Sequence, residues 1–358
     1  MNPKLIINLF KLRTNLDRLV DRCHAIGIKT AIVTKVFCAD ERICRMISES
    51  EADAFADSRV QNLAAIAELH SDKPTQLLRI SMQSEVEDVV RYADISMQSE
   101  KETIRLIGGA AKKLGKVHKI ILMVDMGDLR EGIFNTDEAQ IFSAAEAILA
   151  EPALEFHGIG VNLTCYGGII PDETNLGGLL AIADKLRKRY SVPLPIVSGG
   201  NSSMLTMLED NRIPEGITQL RLGESFVLGN NTESGKPVEW LNTDCFTLEA
   251  ELVEVQRKPS KPIGTSGLNA FGERVTFEDR GEMIRGILAI GRQDVNPDGL
   301  TPLDPAVEII GASSDHLIVN LTNCKKYKVG DTLRFIPDYG ALLKLTTSKY
   351  VHREYAEQ

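Results

Sequence analysis

Between residues 30 and 225 the chain repeats one pattern eight times: a short apolar run followed by a segment with helical spacing. The apolar runs are "TAIVTKV", "AFADS", "LLRIS", "DISMQS", "KIILMVDMG", "FHGIGVNL", "LPIVSGG" and "QLRLGES". Between nearly all of them lie amphipathic segments such as "ADERICRMISES", "VQNLAAIAELH", "EKETIRLIGGAAKKLG" and "LGGLLAIADKLRKRY". A strand alternating with a helix predicts parallel strands joined by crossover helices. Eight such units in roughly two hundred residues fit a closed (β/α)8 barrel better than an open sheet.

The flanks read differently. An opening strand, "LIINL", leads into "FKLRTNLDRLVDRCHAIG", where Leu12, Leu16 and Leu19 share one helical face before a glycine stop. Beyond "NNTESGKPVEW" the runs become short, alternating and punctuated by turns, as in "FTLEAELVEVQRK", "RGILAIG" and "KYKVGDTLRFIPDYG". The expected fold class is therefore α/β: a TIM-like (β/α)8 barrel domain over 1–235 and a smaller C-terminal β domain over 236–358, with the boundary between 230 and 240.

Composition narrows the function. The 358 residues carry a net charge of −9 with the signs well mixed, so no basic stripe offers itself to nucleic acid. No apolar run approaches the length of a membrane helix, and the start lacks a signal-peptide core and cleavage site; a cytoplasmic protein is expected. Cys23, Cys38, Cys44, Cys165, Cys245 and Cys324 are scattered without a C-x-x-C pair or a nearby histidine cluster, which argues against a disulfide framework and against a metal site.

In a (β/α)8 barrel the functional groups lie at the C-terminal ends of the strands, so unusual strand endings become candidates. "SGGNSS" places Asn201 and Ser202 at a helix start after flexible glycines, where free N–H groups favour an anion. "RLGES" places the Gly223 and Glu224 amides after the following, last strand. Strands seven and eight are the usual phosphate-binding position of this fold; a plain helix cap and a tight turn are the ordinary alternative. Across the mouth, Lys35 ends the first barrel strand. A lysine there can simply snorkel to solvent. Opposite a phosphate site, its amine is suited to form a Schiff base with the aldehyde of pyridoxal phosphate, and partial burial would ease the neutral form.

Long motifs along the whole chain resemble the alanine racemase fold of pyridoxal-phosphate enzymes, and more closely its ornithine racemase branch. They are "LIINLFKLRTNL", "VTKV", "MVDMGDLREGI", "GIGVNLTCYGG", "SGGNSS", "LRLGESFVLG", "AIGRQDVNPDGLTPLDPAVEIIGASSDH" and "DYGALLKLTTSKYV". The resemblance implies an amino-acid racemase, with ornithine or a similar basic amino acid as substrate and two subunits sharing their active sites. It implies that Lys35 is the cofactor lysine and that Ser202 with the Gly223 and Glu224 amides holds the phosphate. Arg221 would face the pyridine nitrogen, and Asn162, Ser198, Asn201 and Tyr350 would complete the cofactor contacts. A guanidinium only donates, so the pyridine nitrogen would stay an unprotonated acceptor and a weaker electron sink than a pyridinium. Arg130 matches an arginine near the cofactor's ring hydroxyl or the substrate carboxylate, an exposed loop arginine being its alternative.

Racemisation needs acid/base groups on both faces of a planar carbon. Lys35 would supply one. The family's second, a tyrosine in a G-Y-x-D-G motif of the β domain, is replaced here: the chain reads "IGRQDV", with Arg292 in that place. Arginine is a poor base at neutral pH. Ser314, Asp315 and His316 are the nearby candidates, with Tyr166 and Tyr350 also open. Met123 replaces the family's K-x-D-x-G lysine, and no Y-G pair follows Lys35; both departures argue against a dedicated alanine racemase. An alanine or broad-specificity racemase and a non-catalytic pyridoxal-phosphate carrier remain the competing readings. The second domain, which closes the site in racemases, counts against the carrier.

Overall fold

The computed structural model describes residues 1–324 and 326–357. The chain divides into two compact units, Lys11–Thr243 and a second formed by Met1–Phe10 with Asp244–Gln358.

The chain opens with β1 (Lys4–Asn8), a strand of the second unit, and α1 (Leu9–His24), whose Leu12, Leu16 and Leu19 are buried. The first unit then follows the expected alternation: β2 (Lys29–Val33), α2 (Glu41–Ser48), β3 (Ala54–Asp57), α3 (Val60–Ala67), β4 (Thr75–Leu77), α4 (Val86–Tyr92), β5 (Ile95–Gln98), α5 (Lys101–Leu114) and β6 (His118–Asp125). After a two-residue strand, β7 (Ile133–Phe134), come α6 (Glu138–Leu149), β8 (Leu154–Gly160), α7 (Glu173–Tyr190), β9 (Ile196–Ser198), α8 (Leu205–Glu209), β10 (Gln219–Leu222) and α9 (Glu224–Leu228). Eight strands pair in parallel in the ring β2, β3, β4, β5, β6, β8, β9, β10 and back to β2, while β7 adds only to the edge of β6. Seven of the eight runs read from the sequence coincide with barrel strands, while "LLRIS" is displaced, meeting β4 only at Leu77.

Chemistry local to each segment explains the elements. Parallel strands covered by helices are buried on both faces, and β3, β5 and β10 are buried at every residue. Carboxylates start the helices: Asp40 accepts from the Arg42 and Ile43 amides, and Asp172 caps α7 in a reciprocal pair with Asn175. Gly115 ends α5 at a φ of 64°.

The register identifies the barrel interior. Ala31 lies beside Ala54 and Val33 beside Ala56, and these four pack together with Leu78. Ile95, Met97, Ile121, Met123 and Ile196 form a bulkier cluster. Gly158 keeps the wall thin, since a Cβ there would stand 2.1 Å from the Ile196 carbonyl oxygen.

The second unit is a sheet of antiparallel strands β11 (Phe246–Pro259), β12 (Glu282–Leu288), β13 (Leu300–Pro302), β14 (Glu308–Ala312), β15 (Leu317–Asn320) and β16 (Thr332–Pro337), extended through β1 to β17 (His352–Ala356), with α10 (Tyr339–Thr347) packed into it. β1 pairs antiparallel with β11, Lys4 against Glu249, and parallel with β17, Lys4 against His352. Those pairings are why the first ten residues belong to this unit. No helix among the described residues is long and apolar enough to cross a membrane.

Candidate active site

Because the eight strands run parallel, their C-terminal ends form one rim, and the barrel residues singled out from the sequence gather there. Lys35 begins a 3-10 turn (Lys35–Phe37) two residues beyond the buried end of β2, and its side chain is half-buried. Thr34 precedes that turn at the N-cap position, its carbonyl accepting from the Phe37 amide. Cys38 and Ala39 then take left-handed φ values of 52° and 49°, their amides donating back to Lys35 O and Thr34 O. The Thr34 hydroxyl donates to Asp57 Oδ2 at 2.5 Å, at the end of the neighbouring β3. Asp57 is fully buried and also accepts from the Arg59 amide and Asn62 Nδ2. Burial pushes its carboxyl above the usual range, while these donors and the nearby Lys35 charge pull it back.

Arg221 lies beside Ala31 in the β2–β10 register, which points it into the barrel. Its guanidinium donates to Ser198 Oγ at 2.5 Å and to the Val161 carbonyl at 2.7 Å. Ser198 in turn bonds Gln219 at 3.1 Å. Burial pushes the guanidinium down to about 10, with the Glu131 charge opposing the shift, so it stays a cation at neutral pH.

Beside it, the ends of β9 and β10 bring together the residues expected to hold an anion. Gly200 takes a φ of 137°, which a side chain would strain. The Gly223 and Ser225 amides converge on Ser202 Oγ at 3.2 and 3.1 Å, and the Ser225 hydroxyl meets the same oxygen at 3.0 Å. Ser203 Oγ is buried without a hydrogen-bond partner. Donors crowded on one hydroxyl oxygen, with a further hydroxyl unused, have the chemistry of a phosphate site. Glu224 opens α9 directly after Gly223. Asn201 is committed structurally: it accepts from the Ser203 amide and donates to Asn162 Oδ1 and Leu163 O. Asn162 Nδ2 is left buried with no partner.

Two rim loops are tied together by a residue the sequence reading passed over. Asp128 is fully buried and accepts from the amides of Tyr166, Gly167 and Ile169, joining the loop after β6 to the loop after β8. In the first of these loops Arg130 forms a two-pronged pair with Glu131, also unforeseen, the second bond measuring 2.5 Å. An acidic residue directly after the predicted site arginine was the available signal.

The remaining candidates lie in the second unit, around Arg292. The Arg292 and Gln293 amides donate to the Ser313 and Ser314 carbonyls, which sets Arg292 against the turn carrying Ser314, Asp315 and His316. Ser314 Oγ donates to Asp315 at 2.6 Å, and the His316 ring is 3.4 Å from Ser313 Oγ. Lys344 Nζ donates to the Arg292 carbonyl. Tyr350 is exposed, its amide held by Ser348 Oγ, which donates to Asp294 at 2.6 Å.

This geometry has relatives. The alanine racemase N-terminal domain matches residues 7–230, most of the barrel unit. A protein named ornithine racemase, from Acetoanaerobium sticklandii, is 48% identical over 355 residues, covering 99% of either chain. The chain belongs to the alanine racemase family. A lysine racemase from Thermotoga maritima is 38% identical over 353 residues, covering 99% of this chain and 98% of that one. The fold is shared with alanine racemase from Streptomyces coelicolor A3(2), at a TM-score of 0.76 and 18% identity over 99% of this chain and 98% of that structure. Racemases are isomerases, and those of this family are pyridoxal-phosphate enzymes.

Proposed function

We propose that this protein is a pyridoxal-phosphate-dependent racemase of a basic amino acid, with ornithine as its first substrate. The observation that carries the cofactor is the set on one rim: a half-buried lysine, a buried guanidinium with only neutral partners, and donors converging on Ser202. The substrate class rests on the full-length likeness to an ornithine and a lysine racemase.

Lys35 would hold the aldehyde carbon, Ser202, Ser203 and the Gly223 and Glu224 amides the phosphate, and Arg221 the pyridine nitrogen. The bound cofactor supplies an electron sink that makes the substrate's Cα proton acidic. The Lys35 amine takes or returns that proton on one face. Arg221 can donate to the ring nitrogen but never accept, which keeps the sink weak. Arg130, pinned by Glu131, offers a cation to the ring hydroxyl or the substrate carboxylate. For the opposite face the second acid/base group is open among Ser314, Asp315, His316, Tyr166 and Tyr350, since Arg292 stands where the family has its tyrosine.

We also read the working unit as a homodimer. In the second unit, residues 261–281 are exposed throughout yet include Ile263, Leu268, Phe271, Val275 and Phe277, an apolar run suited to a second copy.

The deciding experiment is a chiral chromatography panel in which each L-amino acid is given to protein loaded with pyridoxal phosphate. D-ornithine well above D-alanine is expected. No D-product from any amino acid, with cofactor bound and the protein folded, would move the reading to a carrier.

A further inference from the structure

Strand β2 carries a threonine–aspartate pair at each end. At the start, Thr30 Oγ donates to Asp53 Oδ2 at 3.2 Å, and Asp53 also meets the half-exposed His24. At the end, Thr34 Oγ donates to Asp57 Oδ2 at 2.5 Å, with both residues fully buried. The partners are 23 residues apart in each case, because the parallel register of β2 and β3 carries both pairs. The two ends of a barrel strand have different duties: the N-terminal end serves stability and the C-terminal end serves the site.

We propose that Thr34 and Asp57 are positioning residues that aim Lys35 at its target. Thr34 precedes the lysine and its carbonyl anchors the turn, accepting from the Phe37 and Ala39 amides, so the direction of the Lys35 Cα–Cβ bond depends on where Thr34 is held. The Thr34 amide donates to Ala56 O at 2.9 Å, which ties the backbone to β3, but neither that bond nor the 3.3 Å approach of Oγ to the same oxygen fixes the side chain closely. Asp57 does, from a neighbouring strand, and is itself fixed by the Arg59 amide at 2.8 Å and by Asn62 at 3.0 Å. The chain of support therefore runs from α3 through Asp57 to Thr34 and ends at the lysine. A buried carboxylate with no guanidinium against it costs stability. Its placement beside the lysine, where the Lys35 charge lowers that cost, suits a group kept for the site.

The inference rests on the reading of Lys35 as the cofactor lysine, so the test separates the two. Cofactor-free protein is mixed with pyridoxal phosphate, and covalent capture is followed by visible absorbance and, after borohydride fixation, by the mass of the peptide containing residue 35. Wild type should capture the cofactor at that residue and Lys35→Ala should not; if they behave alike, the cofactor reading fails and the positioning role falls with it. With that control passed, Thr34→Val should capture about 10- to 100-fold more slowly, while Thr34→Ser, which keeps the hydroxyl, stays within about twofold of wild type. Thr30→Val removes the same chemistry from the other end of β2 and should leave the capture rate unchanged while lowering the melting temperature of the cofactor-free protein. Asp57→Asn, which keeps an acceptor but not the charge, provides a second variant should Thr34→Val fail to fold, and slow capture is expected there too. Capture at the wild-type rate by Thr34→Val or by Asp57→Asn overturns the proposal.

Discussion

Replacing Asp128 with asparagine tests how the rim is held. The carboxylate accepts three amides: Gly167 and Ile169 on Oδ1 at 3.1 and 3.3 Å, and Tyr166 on Oδ2 at 3.1 Å. In the Asp128→Asn variant one of these oxygens becomes an NH2 group. The better orientation keeps the two bonds on the oxygen and sets the new donor against the Tyr166 N–H. Leaving that amide unsatisfied costs about 1 to 3 kcal/mol, and losing charge assistance on the other two adds about 1 kcal/mol, a total of about 2 to 4 kcal/mol. Repacking offers little relief, because Asp128 is fully buried and a Cβ on Gly167 would already stand 2.8 Å from its carbonyl oxygen. The damage is local. Hydrogen exchange of the peptide spanning residues 162–171 should therefore accelerate about 30- to 1,000-fold, while strands of the barrel wall keep their protection. Unchanged exchange in that peptide would refute the reasoning. So would uniform acceleration across the chain, which would make Asp128 a residue of the global fold and not of the loop.

Two further outcomes are expected. His118 is buried against Ser96 Oγ at 2.8 Å, and burial pushes its imidazole from 6.5 down to about 4. The unfolded chain binds this proton first, so the neutral histidine contributes stability that is fully present above pH 6.5 and is lost as pH falls towards 4, by about 3 kcal/mol. His118→Gln should flatten that acid limb in urea titrations followed from pH 7 to 4; a limb of unchanged slope would assign the loss elsewhere. For the assembly, light scattering at micromolar concentration should give a dimer, and Leu268→Asp, in the exposed apolar run, should give an inactive monomer; a fully active wild-type monomer would end the shared-site reading.

The barrel was legible because its signal is local. A parallel strand buried on both faces is a short continuous apolar run, and "AIVT" or "IILMV" between helical segments has no cheaper explanation. The rim rule then turned Lys35, Ser202, Gly223 and Glu224 into candidates with no further information, whereas Arg221, inside its strand, came only from the family resemblance. What escaped depended on register between distant segments. β1 reads as an ordinary first strand, yet its partners lie about residues 246 and 352, and nothing within "LIINL" announces them. β7 is two residues long, too short for any periodicity. Asp128 and Asp57 were two acids among the 50 in the chain until the fold set one against three amides about 40 residues away and the other against a threonine 23 residues away.

Arg221 shows where this barrel departs from pure stability. The interior wall by β2 and β3 is alanine and valine, and the wall by β5 and β6 is isoleucine and methionine, an arrangement that fills a barrel at low cost. Into the remaining side the chain places a guanidinium whose two hydrogen-bond partners are a serine hydroxyl and a peptide carbonyl, both neutral. Taking a cation out of water costs several kcal/mol, and neutral acceptors return only part of it. Gln76, in register with Ala56 and Ile95, adds a buried amide with neither atom hydrogen-bonded. A leucine and a valine would pack these positions more cheaply. Stability alone therefore does not account for Arg221, and a bound pyridine nitrogen would give its N–H groups a further acceptor beyond the two neutral ones the protein supplies.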